Sequence, residues 1–241
     1  MSKLTDFRLL SFDVYGTLID WETGLVNALQ PVLDRNGISN LDKETILRTC
    51  QEVESVQQQK TPGMIYSDVL TTIHPELVKR LGCGPPTPEE SKAFGDSVGV
   101  WPAFPDTLPG LQRLAKHYKL VLLSNVDNIS FHGTHTGPLR NFPFDAVLTA
   151  QDIGCYKPDH RTFEYMLKYV KEKFGVEKEQ VLQTAQSQFH DQQPCRELGI
   201  KGAWIARYGA AYGHVDEPVY DWKFATLEKM AEAVEREAVA K

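Results

Sequence analysis

Read in chain order, the residues able to do chemistry sit just after short apolar runs. Asp13, Tyr15 and Thr17 close the run at 7–14, and Ser124 and Asn125 follow the run at 120–123. A third run at 146–148 leads through Gln151-Asp152-Ile153-Gly154 to Lys157-Pro158-Asp159. Val181-Leu182 is followed by Gln186, Ser187, Gln188 and Asp191. A carboxylate, a hydroxyl with an amide, a lysine and a second carboxylate are therefore delivered in turn. These are the parts of nucleophilic and acid–base chemistry. Taken singly, an Asp or Ser after a strand is an ordinary helix cap or turn residue. Four such sets, each after a strand, point beyond capping.

The elements that must position them follow from the apolar pattern. The runs at 7–14, 120–123, 146–148, 181–182 and 203–206 are continuous rather than alternating, as in strands buried on both faces of a parallel sheet. Helical faces lie between them: Leu108, Leu111 and Leu114, then Phe163, Met166, Leu167, Val170 and Phe174. Strand–helix–strand alternation predicts an α/β doubly wound, Rossmann-type core. Ligands of such sheets bind beyond the carboxyl ends of the strands, which is where the chemistry-bearing residues fall.

Residues 18–101 break that rhythm. Leu25, Leu29, Val32 and Leu33 keep helical spacing before Asn36-Gly37, and helices are expected at 41–59 (opened by Asn40 or Asp42), 66–81 and 88–98. Four helices without a strand read as an inserted helical cap domain, with 1–17 and 102–241 as the core. Trp101-Pro102-Ala103-Phe104-Pro105 is the expected return crossing.

Composition narrows the function class. A hydrophobic share of 41% against 24% charged is that of a globular chain, not a disordered or fibrous one. Lys and Arg number 26 against 32 Asp and Glu, giving −6, with no basic stripe for nucleic acid. A locally positive pocket on an acidic surface can still take an anionic substrate. Cys50, Cys83, Cys155 and Cys195 lack zinc or disulfide spacing and read as reduced thiols. No apolar run is long enough to span a membrane and the first residues carry no signal core, so a cytoplasmic protein is expected.

At the level of motifs, Phe12-Asp13-Val14-Tyr15-Gly16-Thr17-Leu18, Leu123-Ser124-Asn125, Tyr156-Lys157-Pro158 and the acid Asp191 resemble the haloacid dehalogenase superfamily over the whole chain, cap included. The Asp-x-Tyr-Gly-Thr form with Ser-Asn is similar to the 2-haloacid dehalogenase branch. The resemblance implies hydrolysis of short 2-haloalkanoic acids to 2-hydroxy acids, with L preference and inversion. Asp13 would form an aspartyl ester and Lys157 would keep it ionised. Thr17 and Ser124 would orient it and, with Asn125, bind substrate. Asp191 would position Lys157 and activate water. Tyr15, Gln186, Ser187 and the cap arginine Arg48 complete the implied substrate set, and dimers are common in this branch.

The same comparison separates alternatives. Phosphatases of the superfamily carry a second acid where Tyr15 stands, to protonate an alkoxide. A halide ion is weakly basic and needs no such acid. The position of a second Mg²⁺-binding carboxylate aligns with Gln186, and a hard cation prefers carboxylate oxygens. A metal-free, cofactor-free reaction is therefore expected. A Mg²⁺-dependent phosphatase and a non-catalytic binding protein are the alternatives. Three positions depart from the family pattern: Phe163 for a tyrosine, His190 for a tryptophan, and Gln186, Ser187 or Gln188 where Ser and Asn are usual. A solvated Arg48, paired with Glu44 or Glu52, is the competing reading of that residue.

Overall fold

The computed structural model describes residues 2–61, 63–213 and 215–239. In chain order the elements are β1 (Leu9–Phe12), α1 (Trp21–Arg35), α2 (Lys43–Lys60), α3 (Tyr66–Arg80), α4 (Pro88–Asp96), α5 (Thr107–Leu114), β2 (Lys119–Ser124) and α6 (Asn128–Thr136). They continue as β3 (Ala146–Thr149), α7 (Ala150–Ile153), α8 (His160–Phe174), β4 (Val181–Ala185), α9 (Gln193–Glu197), β5 (Lys201–Ile205), β6 (Trp222–Phe224) and α10 (Leu227–Val239). No helix among the described residues is long and apolar enough to cross a membrane.

The strands form one parallel sheet in the order β3-β2-β1-β4-β5-β6. This is the doubly wound α/β arrangement, with the strand order reversing about β1. The central strand, Leu9-Leu10-Ser11-Phe12, is buried throughout and pairs on both sides. That is why it reads as a continuous run rather than an alternating one. Side chains alternate across the sheet. On one face Leu9, Val121, Leu123, Leu148 and Val181 pack with Phe163, Met166 and Val170 of α8 and Cys195 of α9. Phe163 is thus a core residue, fully buried. Strand β6 leaves no mark in the apolar pattern, because its three residues are only partly covered and carry Lys223 at the centre.

Compactness divides the chain into two units. One comprises the residues through Ile19, Ala103–Asn125 and those from Phe142 onward, and it carries the whole sheet. The other comprises Asp20–Pro102 and Val126–Asn141. Two segments, and the single residue Pro102, which groups with the helical unit, differ from the division read off the sequence. Leu18 and Ile19 stay with the sheet unit because Leu18 O accepts Phe104 N–H at 3.0 Å and Thr107 Oγ1 at 2.7 Å. Helix α6 belongs with the helical unit because it packs on the turn Ser97–Val100. There Gly133 lies so close to Gly99 that an added Cβ would meet the Gly99 oxygen at 3.0 Å.

Within the helical unit, capping decides where helices begin. Asp20 accepts Thr23 N–H at the start of α1, Asp42 accepts Thr45 N–H at the start of α2, and Thr87 with Glu90 forms a capping box at α4. Of the two candidates for the second helix, Asp42 is the cap. The unit's interior is built from Leu25, Leu29, Leu47, Leu70, Leu77 and Phe94, all essentially sealed from solvent.

Candidate active site

The chain leaves β1 through Asp13 and turns at once. Gly16 takes φ 96° and donates to Ile19 O at 2.7 Å, a left-handed conformation that favours glycine. The turn returns Thr17 beneath Asp13, and Thr17 Oγ1 donates to Asp13 Oδ2 at 2.7 Å. The same hydroxyl accepts Gln186 N–H at 2.9 Å, tying the β1 turn to the end of β4.

Lys157 supplies the centre. Its Nζ donates to Asp13 Oδ1 at 2.8 Å, to Asp191 Oδ1 at 2.8 Å and to Leu123 O at 3.0 Å. Three N–H donors meet three acceptors, so the ammonium is fully satisfied. The Lys157 side chain is 2% exposed and those of Asp13 and Asp191 are 9% and 0% exposed, so these are strong, weakly screened contacts. Burial alone would lower the lysine pKa, but the two carboxylates outweigh it and raise it above the ordinary value. Asp191 is pushed up to about 7, first by burial and then by the charge of Asp13, against the pull of Lys157 and Gln183. One cation between two buried carboxylates leaves the cluster one negative charge in excess, which favours proton uptake.

Several residues read from the sequence as substrate-binding are engaged otherwise. Asn125 clasps the backbone of Lys157: its Nδ2 donates to Lys157 O at 2.9 Å and its Oδ1 accepts Lys157 N–H at 2.7 Å. It therefore holds the loop that carries the lysine. Ser187 caps a π-helical turn over Gln188–Gln192, accepting His190 N–H at 3.1 Å. Gln186 turns its amide to Tyr212 O at 2.6 Å, while its own carbonyl accepts Trp204 Nε1–H at 2.8 Å. Ser124 Oγ is buried with no hydrogen-bond partner among the described residues, a donor available beside Asn125. Tyr15 is half-buried on the turn after β1. Arg48 is exposed on α2 of the helical unit, and Glu52 pairs with Arg80 at 3.5 Å.

Two supporting groups escaped the sequence reading. Arg207 follows β5, and its Nε and Nη2 donate to Thr17 O at 3.1 and 2.6 Å while Nη1 meets Asp106 Oδ1 at 2.6 Å. The guanidinium lies 4.1 Å from the centre of the Phe104 ring, a cation–π contact. The rule applied to four strand ends would have found it at the fifth. Gln183, inside β4, donates to Asp191 Oδ1 at 2.8 Å. Its signal was a glutamine, followed by Thr184, in a run otherwise suited to burial.

Comparison with known proteins agrees with this architecture. No protein-family model matches the chain. An (S)-2-haloacid dehalogenase of Pseudomonas fluorescens is 24% identical over 210 residues, 85% of this chain and 87% of the relative. One of Pseudomonas putida is 25% identical over 212 residues, with the same coverage of each chain. Among solved structures, a defluorinating L-2-haloacid dehalogenase superposes with TM-score 0.78 at 17% identity, covering 98% of this chain and 99% of that one. The L-2-haloacid dehalogenase of Xanthobacter autotrophicus gives 0.77 at 18% identity, covering 95% and 98%. Its form with chloropropionic acid covalently bound gives 0.76 at 17% identity, covering 95% and 98%. A reversed-order parallel sheet whose strand ends lead on to Asp13, Ser124, Lys157 and Asp191 is thus shared in outline with solved L-2-haloacid dehalogenases, and in sequence the chain is similar to (S)-2-haloacid dehalogenases.

Proposed function

We propose that the protein hydrolyses short 2-haloalkanoic acids to 2-hydroxy acids through an ester on Asp13. The observation that carries this reading is the single buried ammonium of Lys157, 2.8 Å from both Asp13 and Asp191. It pairs with the Asp13 carboxylate in a site where Tyr15 stands in place of the acid that an alkoxide leaving group would need. An oxygen of Asp13 attacks C2 of the substrate from behind the halogen. The carbon–halogen bonding pair leaves with the halide, which needs no proton. Ser124 Oγ–H and nearby backbone N–H groups bind the substrate carboxylate.

Water then attacks the ester carbonyl carbon of Asp13. Asp191 takes the proton on Oδ2, the oxygen that neither Lys157 nor Gln183 occupies. Collapse breaks the bond to the ester oxygen, which takes back the proton held by Asp191 and leaves as the hydroxyl of the 2-hydroxy acid; the remaining proton passes to solvent, regenerating the Asp13 carboxylate with one water oxygen in it. The relatives' names support the substrate class, and the structure of one neighbour with chloropropionic acid covalently bound supports the ester route.

Divalent magnesium does not fit these residues. Asp13 already accepts from Lys157 and Thr17, Asp191 accepts from Lys157 and Gln183, and the Gln186 amide is turned to Tyr212. A hard cation would find at this rim the two carboxylates already bridged by an ammonium. Halide release from L-2-chloropropionate is therefore expected to be undiminished by EDTA. Release that collapses in EDTA and returns with Mg²⁺, or phosphate release from a generic monoester in its place, would sink the reading. A single turnover in ¹⁸O-water should leave label in the Asp13 peptide; label found only in the product excludes the ester. The D enantiomer, run in parallel, measures stereochemical preference.

The shared proton of the cluster sets the pH dependence. Because Asp191 is raised to about 7, kcat/KM should fall as pH drops below about 7 and the free enzyme takes up that proton. Once Asp13 is esterified its negative charge is gone, so the pKa of Asp191 falls in the intermediate. Where hydrolysis limits turnover, the acid limb of kcat should lie below that of kcat/KM. With ester hydrolysis shown to limit turnover in a rapid-quench experiment, coincident limbs, or the reverse order, would contradict the assignment of Asp191 as base.

A further inference from the structure

We infer that Gln183 is a positioning residue for the hydrolytic half of the reaction, selecting which oxygen of Asp191 acts as base; this rests on the ester route above. A glutamine at the middle of a strand paired on both sides is costly, since a buried amide loses water on every side. Gln183 is fully buried, between β1 and β5 in the sheet, and its register partner on β1 is Ser11. Its Nε2 donates to Asp191 Oδ1 at 2.8 Å, while its Oε1 has no hydrogen-bond partner among the described residues. The amide nitrogen is thus engaged with one carboxylate oxygen, while the amide oxygen is left unmet.

The consequence lies in the geometry of Asp191. Oδ1 receives two donors, Lys157 Nζ and Gln183 Nε2, and Oδ2 receives none among the described residues. Lysine alone would leave the carboxylate free to turn about its own axis and exchange its two oxygens. The planar amide, approaching from the sheet, fixes the orientation, so that the same buried oxygen, Oδ2, is always the one left without a donor and able to take a proton. A donor to the ionised form also makes that form easier to reach. The charged and titratable groups facing Asp191 are Lys157 on the loop after α7, Asp13 after β1, Cys195 on α9 and His190 next to it in the chain. Cys195 is buried with its thiol pushed well above the usual range. His190 reaches solvent but is lowered to about 4, first by desolvation and then by the Lys157 cation, so both stay neutral near pH 7.

Gln183→Leu tests this, with Gln183→Met as a second variant of similar volume. Loss of a hydrogen bond to a carboxylate should move the acid limb of kcat/KM upward by about one pH unit. Ester hydrolysis should slow about tenfold while alkylation is little changed, so that esterified Asp13 accumulates in a rapid-quench experiment. Thermal stability should hold or rise, because the unmet Oε1 is removed with the donor. A merely structural glutamine would give the opposite: lower Tm with an unmoved pH profile and no accumulated ester. That result overturns the inference, and so does failure of both variants to fold. A substrate-free readout separates it from the dehalogenase reading. The ¹³C carboxyl titration of Asp191, assigned with Asp191→Asn, should shift upward in Gln183→Leu. An unmoved titration overturns the role of Gln183 even if wild-type enzyme releases halide. A moved titration in a protein that releases none leaves the positioning intact and sinks the substrate assignment.

Discussion

Asp13→Asn should lower halide release from L-2-chloropropionate by about three orders of magnitude or more, with the fold intact. An amide oxygen is a far weaker nucleophile than a carboxylate, and the turn after β1 offers no second carboxylate before Asp20. Loss of the covalent nucleophile typically costs a reaction this much or more. The electrostatics make the variant easier to fold rather than harder. In the wild type, Lys157 is shared by two buried carboxylates at 2.8 Å each. With an amide in place of the first, one ammonium would face one carboxylate, a neutral pair with less uncompensated charge. Halide release and thermal denaturation measured on the same preparation check both halves. Activity within about tenfold of wild type would end the assignment of Asp13. Inactivity with a large fall in Tm would mean that the side chain serves the fold instead.

Arg207→Met should lose about 3–5 kcal/mol of folding stability, the usual consequence of removing one partner from a buried ion pair. The pair is well sealed: the side chains of Arg207 and Asp106 are 5% and 10% exposed. The two Arg207 bonds to Thr17 O would also be lost, and among the described residues Asp106 would keep only the backbone N–H of Leu227, 2.7 Å from Oδ2. Because Thr17 Oγ1 touches Asp13, turnover should fall along with stability. Chemical denaturation checks the first effect, and the double variant Arg207→Met, Asp106→Leu should recover part of the loss by removing the stranded charge. A single variant within about 1 kcal/mol of wild type would show that this pair contributes little.

How much of this was legible in the chain is best judged residue by residue. Asp13, Thr17, Ser124, Lys157 and Asp191 emerge from asking which polar residues follow each apolar run, and four of the five converge: Thr17 on Asp13, and Asp13 and Asp191 on Lys157. Parallel strands buried on both faces are nearly all apolar, so their ends announce themselves. Asn125, Gln186 and Ser187 are equally visible, yet their hydrogen bonds go to Lys157, Tyr212 and His190 of the protein itself. Polar residues at a strand end look alike in sequence whether they face a ligand or the neighbouring loop.

Two further elements show the same limit. Helix α6 sits after β2 in the chain, where a doubly wound core would use it, but its glycine Gly133 packs on Gly99 of the helical unit. Arg207 stands at the fifth strand end, and only its meeting with Thr17 and Asp106, 190 and 101 residues away, reveals its use.

By itself, then, the sequence determined the α/β class, the helical insertion and the identity of the groups able to do chemistry. These follow from local patterns of burial and from residue types, both of which the chain carries at short range. Tertiary structure alone decided which carboxylates share Lys157, which oxygen of Asp191 is left without a donor among the described residues and which amides are spent on the scaffold. Those outcomes depend on strand order and register, which bring together residues as far apart as Asp13 and Asp191 and which no local pattern encodes.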